Sequence, residues 1–357
     1  MRNLAHLTHL NLKSGDWVEV RSKSEILSTL DSNGRLEELP FMPQMFAFCG
    51  KRLQVRKRAH KVCDTVNETG ARSLSNSVVL EDLRCDGQTY GGCEMRCSLI
   101  WKESWLKRFS QAGADVSDVT AVVTPQGECT EEQVIHGARA REREGGDGEP
   151  IYVCQATQLP YATKPLSRWS LSQYVEDYRS GNVRISDIVS SLTALTYCQL
   201  AESGLGFGAA LRWLYDAFQK LRGGTPYPFR KGLIPKNTKT PTSNQDIQIG
   251  ELVRIKSYQE ILKTVDEDLR NRGMSFHSEM ATHCGQSFRV SQRLRKLMNE
   301  KTGKLMVLKN ECLILEGIEC IGMYAKPIYC PRSSYLYWRE LWLERVNNPP
   351  HAAPPER

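Results

Sequence analysis

Three cysteines fall within thirteen residues, Cys85, Cys93 and Cys97, in the segment RCDGQTYGGCEMRC. Thiolates are soft donors that suit zinc and iron, and three of them supply most of a tetrahedral shell. Gly87, Gly91 and Gly92, lying between them, let the backbone fold tightly around an ion. A fourth ligand has to come from elsewhere in the chain. Cys63, His60, Cys129 and Cys154 are the candidates, and Cys154 and Cys63 are favoured because each sits in or beside an expected strand. The expected cofactor is therefore zinc or an iron–sulfur cluster, which spacing alone does not separate. The plain alternative is that the thiols are small buried hydrophobes, and this is the expectation for Cys49 and Cys284.

A second candidate lies on a basic strand. In RLQVRKRAH, Leu53, Val55 and Ala59 alternate with polar residues, so Arg52, Arg56, Arg58 and His60 are expected on one outer face. Arg289, Arg293 and Arg295 occupy the matching face of a later segment. Such a strand can grip phosphates, or it can simply keep a sheet in water. Against 13 acidic residues, 17 basic ones lie in 1–110; the counts are 15 and 14 in 111–246, and 13 and 17 in 247–357. The net charge of +7 thus belongs to the two ends of the chain, and it permits a nucleic-acid partner without requiring one.

Signatures of catalysis are missing. There is no GxxxxGK[ST], no GxGxxG after a strand and no HExxH. Gly204, Gly206 and Gly208 precede a helical pattern but follow no strand, so they read as a helix-to-helix turn. Cys154 is open to a nucleophilic role, although no base is identifiable. The first residues, MRNLAHLTHLNLKSGDW, lack the apolar run of a secretory signal, and nothing later reaches the length of a membrane span. With twelve cysteines, that points to a cytoplasmic protein whose thiols stay reduced.

The elements that position these residues come in two copies. GDWVEVRSKSEILSTLD at 15–31 returns as GELVRIKSYQEILKTVD at 250–266, and LEDLRC and WKESWLKR return as LEGIEC and WRELWLER. Identity at this density over a near-constant offset marks an internal repeat. Each copy opens on a strand, Trp17–Val20 or Leu252–Ile255, then a short helical segment, a basic strand and a buried apolar strand. Trp101 and Trp105, like Trp338 and Trp342, have the i, i+4 spacing of one helical face, so each copy is expected to close on a Trp-bearing helix. The rings either pack the module or offer a stacking platform. Cys49, Cys85 and Cys93 recur as Cys284, Cys320 and Cys330, whereas Cys63 and Cys97 align with Met298 and Ser334; Cys312 completes a different second set. Neither spacing follows a standard zinc finger, ribbon or ferredoxin.

The centre differs in kind. GARAREREGGDGEP at 137–150 reads as a charged loop and IYVCQATQL as a strand, while WSLSQYVEDYR, VRISDIVSSLTALTYCQLAES and GAALRWLYDAFQKLR carry helical periodicity. The Pro-, Gly- and Thr-rich stretch 223–246 reads as a linker.

Short strands opening on a Gly-Asp or Gly-Glu turn resemble the start of SH3-like barrels, including KOW-type modules. LKNECLILEGIEC and YCPRSSYLYWRELWL, with FMPQMFAFCGKRLQVRKRAHKVCDT, are together similar to an uncharacterised bacterial protein family. The likeness spans both copies and part of the centre, and it implies the duplicated architecture without an activity.

The expected fold is α+β: two SH3-like small β-barrel modules, 1–110 and 247–346, each closed by a Trp-bearing helix. They flank a mixed, largely helical centre at 111–222 and the linker 223–246, with a disordered tail at 347–357. The expected function is a non-catalytic binding or adaptor protein with a thiolate metal site and a protein or nucleic-acid partner. The alternative is a metal- or iron–sulfur-dependent enzyme.

Overall fold

A computed structural model describes residues 10–67, 69–109, 129–139, 148–167, 169–322 and 329–346. The tail 347–357 and most of the Gly-rich segment 137–150 lie outside them. The fold is mixed α+β. It divides into two compact units, one of residues 1–193, 296–307 and 320–335, the other of 194–295, 308–319 and 336–357. The helical centre is thus shared between the units, and parts of the second repeat are counted with the first unit.

In the first unit the sheet order is Ser98–Lys102, Ser77–Arg84, Arg52–Arg58, Trp17–Val20, Leu106–Arg108. Trp17–Val20 pairs antiparallel with Arg52–Arg58 on one side and Leu106–Arg108 on the other. The short helix Lys23–Leu27 starts two residues before the segment EILSTLD expected to be helical, because Ser22 and Glu25 close a reciprocal capping box. A smaller sheet joins Lys61–Cys63, Ala71–Ser73 and Lys164–Leu166. Val18, Val20, Ile26, Val55, Val78 and Leu80 form the centre of the core.

The larger sheet involving the second unit has the order Tyr335–Arg339, Leu305–Glu319, Ser287–Met298, Leu252–Ile255, Leu343–Arg345. That order matches the first, strand for strand. Local bonding matches too. The Trp105 indole N–H donates to Thr29 Oγ1 at 3.0 Å, and Trp342 donates to Thr264 Oγ1 at 3.0 Å. Phe41 meets Trp105 edge-on at 5.1 Å, and Phe276 meets Trp342 at 5.3 Å. Ser257 and Glu260 repeat the capping box.

Two expectations are corrected. No Trp-bearing α-helix closes either sheet: Trp101 and Trp338 lie in strands, and Trp105 and Trp342 end three-residue 3-10 turns, Glu103–Trp105 and Glu340–Trp342. A strand residue followed by one tight turn reproduces the i, i+4 spacing, and the apolar, aromatic run SLIWK favours the strand. All four rings are buried, so they pack the core and present no stacking platform. IYVCQATQL is not a strand either. Ile151 and Tyr152 make single bridges, after which Gln155–Ala162 is a helix with Cys154 at its N-cap. Thr157 directs that turn, its hydroxyl accepting from Cys154 N at 3.0 Å. The stretch 223–246, read as a linker, lies in no helix or strand and is largely exposed, but it is held in places: Tyr227 is buried, and Thr240 and Pro241 accept hydrogen bonds from Arg272 and Asn271.

Candidate functional site: a cavity lined with sulfur

Cys85 and Cys97 flank the loop, and Cys85 N donates to Cys97 O at 2.8 Å, holding its two ends together. Between them Gly87 sits at φ +72, and a Cβ there would lie 1.7 Å from Cys93 O. The chain can fold back on itself here only because that residue is glycine. Tyr90 and Gly92 donate to Gly87 O at 2.9 and 3.0 Å, completing the turn.

This loop and the N-terminus of the helix Gln155–Ala162 enclose one cavity within the first unit. Cys85, Cys93, Cys97 and Cys154 all line it, together with the thioethers of Met42, Met95 and Met298. Its open volume is about 30 Å³, room for one or two waters or a single ion. The Tyr90 hydroxyl is buried without a hydrogen-bond partner at the same wall. Gln44 donates to Cys85 Sγ at 3.2 Å. Burial pushes the Cys85 thiol up to about 12 and the Cys154 thiol up to about 11; it raises Cys93 and Cys97 as well. Each sulfur is therefore a neutral thiol at neutral pH. Among the described residues, no three His, Cys, Asp or Glu side chains stand together as a formed metal site.

Of the expected ligands, four meet at this cavity and Cys63 goes elsewhere. Cys63 N donates to Cys330 Sγ at 3.2 Å, and their thiols are hydrogen-bonded. That bond, with the Arg332 guanidinium and the backbone N–H groups of Arg332 and Cys63, holds the Cys330 thiol low against its burial. Arg332 also lines the sulfur cavity, and it donates to Thr65 at 2.8 Å and Glu300 at 2.9 Å. The alternative second set is split: Cys320 and Cys330 belong to the first unit, Cys284 and Cys312 to the second. Cys129 is buried beside Thr130. Cys49 and Cys284 are half-buried rather than fully enclosed.

The basic strand does not present an open cationic face. A register shift between Val55 and Lys57 inserts one residue into this strand. The Arg58 side chain is only 12% exposed and is ion-paired with Glu103 at 2.9 Å and Glu176 at 2.9 Å. Arg293 repeats the arrangement with Glu311 at 2.7 Å and Glu340 at 3.5 Å. Arg56 lies 4.0 Å from Glu81, and Arg295 lies 2.5 Å from Glu311. His60 Nε2 contacts Gln173 O at 3.2 Å and Asp177 at 3.3 Å. Burial, then the Lys61 charge, pushes its imidazole down to about 4. Behind it Lys61 and Asp177, both fully buried, form an ion pair at 2.5 Å.

Sequence reasoning missed Tyr90, Arg332, the three methionines and the pairing of Cys63 with Cys330. An aromatic or thioether carries no spacing signal, and 267 residues separate the two paired cysteines. No known family, curated protein or solved structure matches this chain.

Proposed function

We propose that the chain is a non-catalytic binding or adaptor protein built on two copies of an SH3-like module, the first holding one soft metal ion in its sulfur-lined cavity. The module reading draws on the shared strand order, in which four strands are followed by a 3-10 turn that returns the last strand beside the first. The observation that carries the metal reading is the convergence of Cys85, Cys93, Cys97 and Cys154 on one small cavity. Neutral thiols gain only apolar burial by converging, whereas a cation that displaces their protons would draw the sulfurs inward. A volume of about 30 Å³ favours a single zinc-class ion over a polynuclear cluster. Because the arginines of the basic strand are engaged with carboxylates, a protein partner is favoured over nucleic acid.

Elemental analysis of reduced, purified protein is the test. The expected result is one zinc per chain, lost in Cys97→Ser and in Cys154→Ser, and cobalt substitution giving thiolate-to-metal absorption. Wild-type protein that takes up neither ion overturns the reading.

A second reading, a metal- or iron–sulfur-dependent enzyme, is favoured by Cys330, whose thiol is held low next to Arg332. Brown, anaerobically purified protein whose colour depends on Cys85 and Cys97 would support it; colourless protein with stoichiometric zinc would not.

A further inference from the structure

The two copies differ at one buried cation. In the first, Lys102 follows Trp101 at the end of its strand and is 2% exposed. Its ammonium meets the Glu37 carboxylate at 2.6 Å and Ser75 O at 3.0 Å. In the second, Arg339 follows Trp338 and is 5% exposed. It donates to Asn310 O, the counterpart of Ser75 O, and to the carbonyls of Asn271 at 3.3 Å and Arg272 at 3.2 Å. Among the described residues it has no carboxylate partner, and its Nε is buried with no hydrogen bond at all.

The missing carboxylate has an address. Glu37 sits in a tight hairpin turn between Arg35–Leu36 and Leu39–Pro40, at φ 50. The corresponding turn joins Arg270–Asn271 to Met274–Ser275, and the residue in the same left-handed conformation, φ 48, is Arg272. The second copy has thus exchanged its internal counterion for another cation. A buried guanidinium without a carboxylate, and with one N–H unpaired, is costly and calls for a counterion or ordered water.

Beside Arg339 is a cavity of about 140 Å³, several times the room one water needs. Ser243, Asn244, Asn271 and Lys309 line it, within the second unit. Its two carboxylates are already committed. Arg293 holds Glu311 and Glu340, Arg295 holds Glu311, and Glu340 also accepts from the backbone N–H groups of Gln245 at 2.6 Å and Ile247 at 3.2 Å. Lys309, exposed at the rim, has no carboxylate partner among the described residues. The Asn271 amide is spent on the carbonyls of Pro241 and Thr264, which leaves Arg339, Lys309, the Asn244 amide and the Ser243 hydroxyl at the wall.

We propose that this cavity binds a small tetrahedral oxyanion, a phosphate or sulfate group, which supplies the negative charge that Glu37 supplies in the first copy. A guanidinium edge with amide and hydroxyl donors suits such a group, and a tetrahedral dianion engages more donors than a carboxylate can. The site is independent of the sulfur cavity and of the metal proposed there.

The test uses the full chain, titrated with inorganic phosphate and, separately, with a nucleoside 5′-monophosphate, each against sodium chloride at matched ionic strength. Calorimetry and thermal unfolding are the readouts. Saturable binding of either phosphate species is expected, and which one binds more tightly tells a free ion from a phosphate carried on an organic group. Arg272→Glu rebuilds the pairing of the first copy, so it should fold normally by circular dichroism and weaken binding by at least about tenfold. Lys309→Ala, at an exposed strand position, should weaken it by about threefold and keeps the question decidable if Arg272→Glu folds poorly. Wild-type protein that distinguishes neither phosphate species from chloride overturns the proposal, as does undiminished affinity in a folded Arg272→Glu protein.

Discussion

Arg58 and Glu103 show what a single pair of residues does in this fold. Glu103 is 2% exposed, and besides Arg58 it accepts the backbone N–H groups of Leu12 at 3.1 Å and Asn11 at 3.2 Å. Arg293 and Glu340 stand in the same relation, with Glu340 accepting from Ile247 N at 3.2 Å. The carboxylate thereby pins the strand entering each copy to its closing turn. Replacing Glu103 with Ala leaves Arg58 with Glu176 as its carboxylate and strands the buried backbone N–H of Leu12, and should cost about 1–3 kcal/mol, measured as a drop in the urea midpoint at constant slope. Arg58→Glu should unfold the first unit outright. A loss of partner binding in that variant would therefore report folding, not contact.

At the scale of the element, the loop from Cys85 to Cys97 depends on Gly87 as much as on its thiols. Gly87→Ala places a methyl group on Cys93 O in a backbone conformation that alanine disfavours. The expected outcome is loss of metal uptake with every cysteine still present, read by elemental analysis. The helix Lys23–Leu27 gives a different kind of test. Burial alone would raise the Glu25 carboxyl, but hydrogen bonds from Ser22 and from Lys107 outweigh it and lower it from 4.5 to about 2. A carboxyl with a depressed pKa stabilises the fold above its unfolded value, and that contribution fades as pH falls from about 4.5 towards 2. Wild-type stability should thus decline across that window more steeply than that of Glu25→Gln, in parallel denaturation series. Equal slopes would show that the capping box contributes nothing to acid sensitivity.

At the scale of the whole molecule, the sulfur cavity and the oxyanion cavity belong to different compact units. Saturating zinc should stabilise the first unit by about 2.7 kcal/mol at a hundredfold excess over Kd. Amide hydrogen exchange should then slow in Ser77–Arg84 and Ser98–Lys102 and stay unchanged in Leu252–Ile255. Protection spread evenly over both sheets would contradict a site confined to one unit. What could be read in advance follows the same division between near and far. The opening strands, the short helical segments after them and the clustering of Cys85, Cys93 and Cys97 around glycines were legible, because each rests on periodicity or steric freedom within a dozen residues. The burial of Arg58 was not, since it depends on Glu103 and Glu176, carboxylates far along the chain. Nor was the turn at Trp105, where strand and helix share a spacing.

Chain order alone determined that the molecule is built from two related stretches and that three thiols gather at one loop, because local periodicity and local glycine content are written residue by residue. Tertiary structure decided the rest. It brought Cys154 to those thiols and sent Cys63 to Cys330; it turned the arginines of the basic strand towards carboxylates, and left Arg339 without one. Those outcomes depend on which distant side chains share a desolvated space, and that is settled only when the packed core sets each group's distance to its counterion.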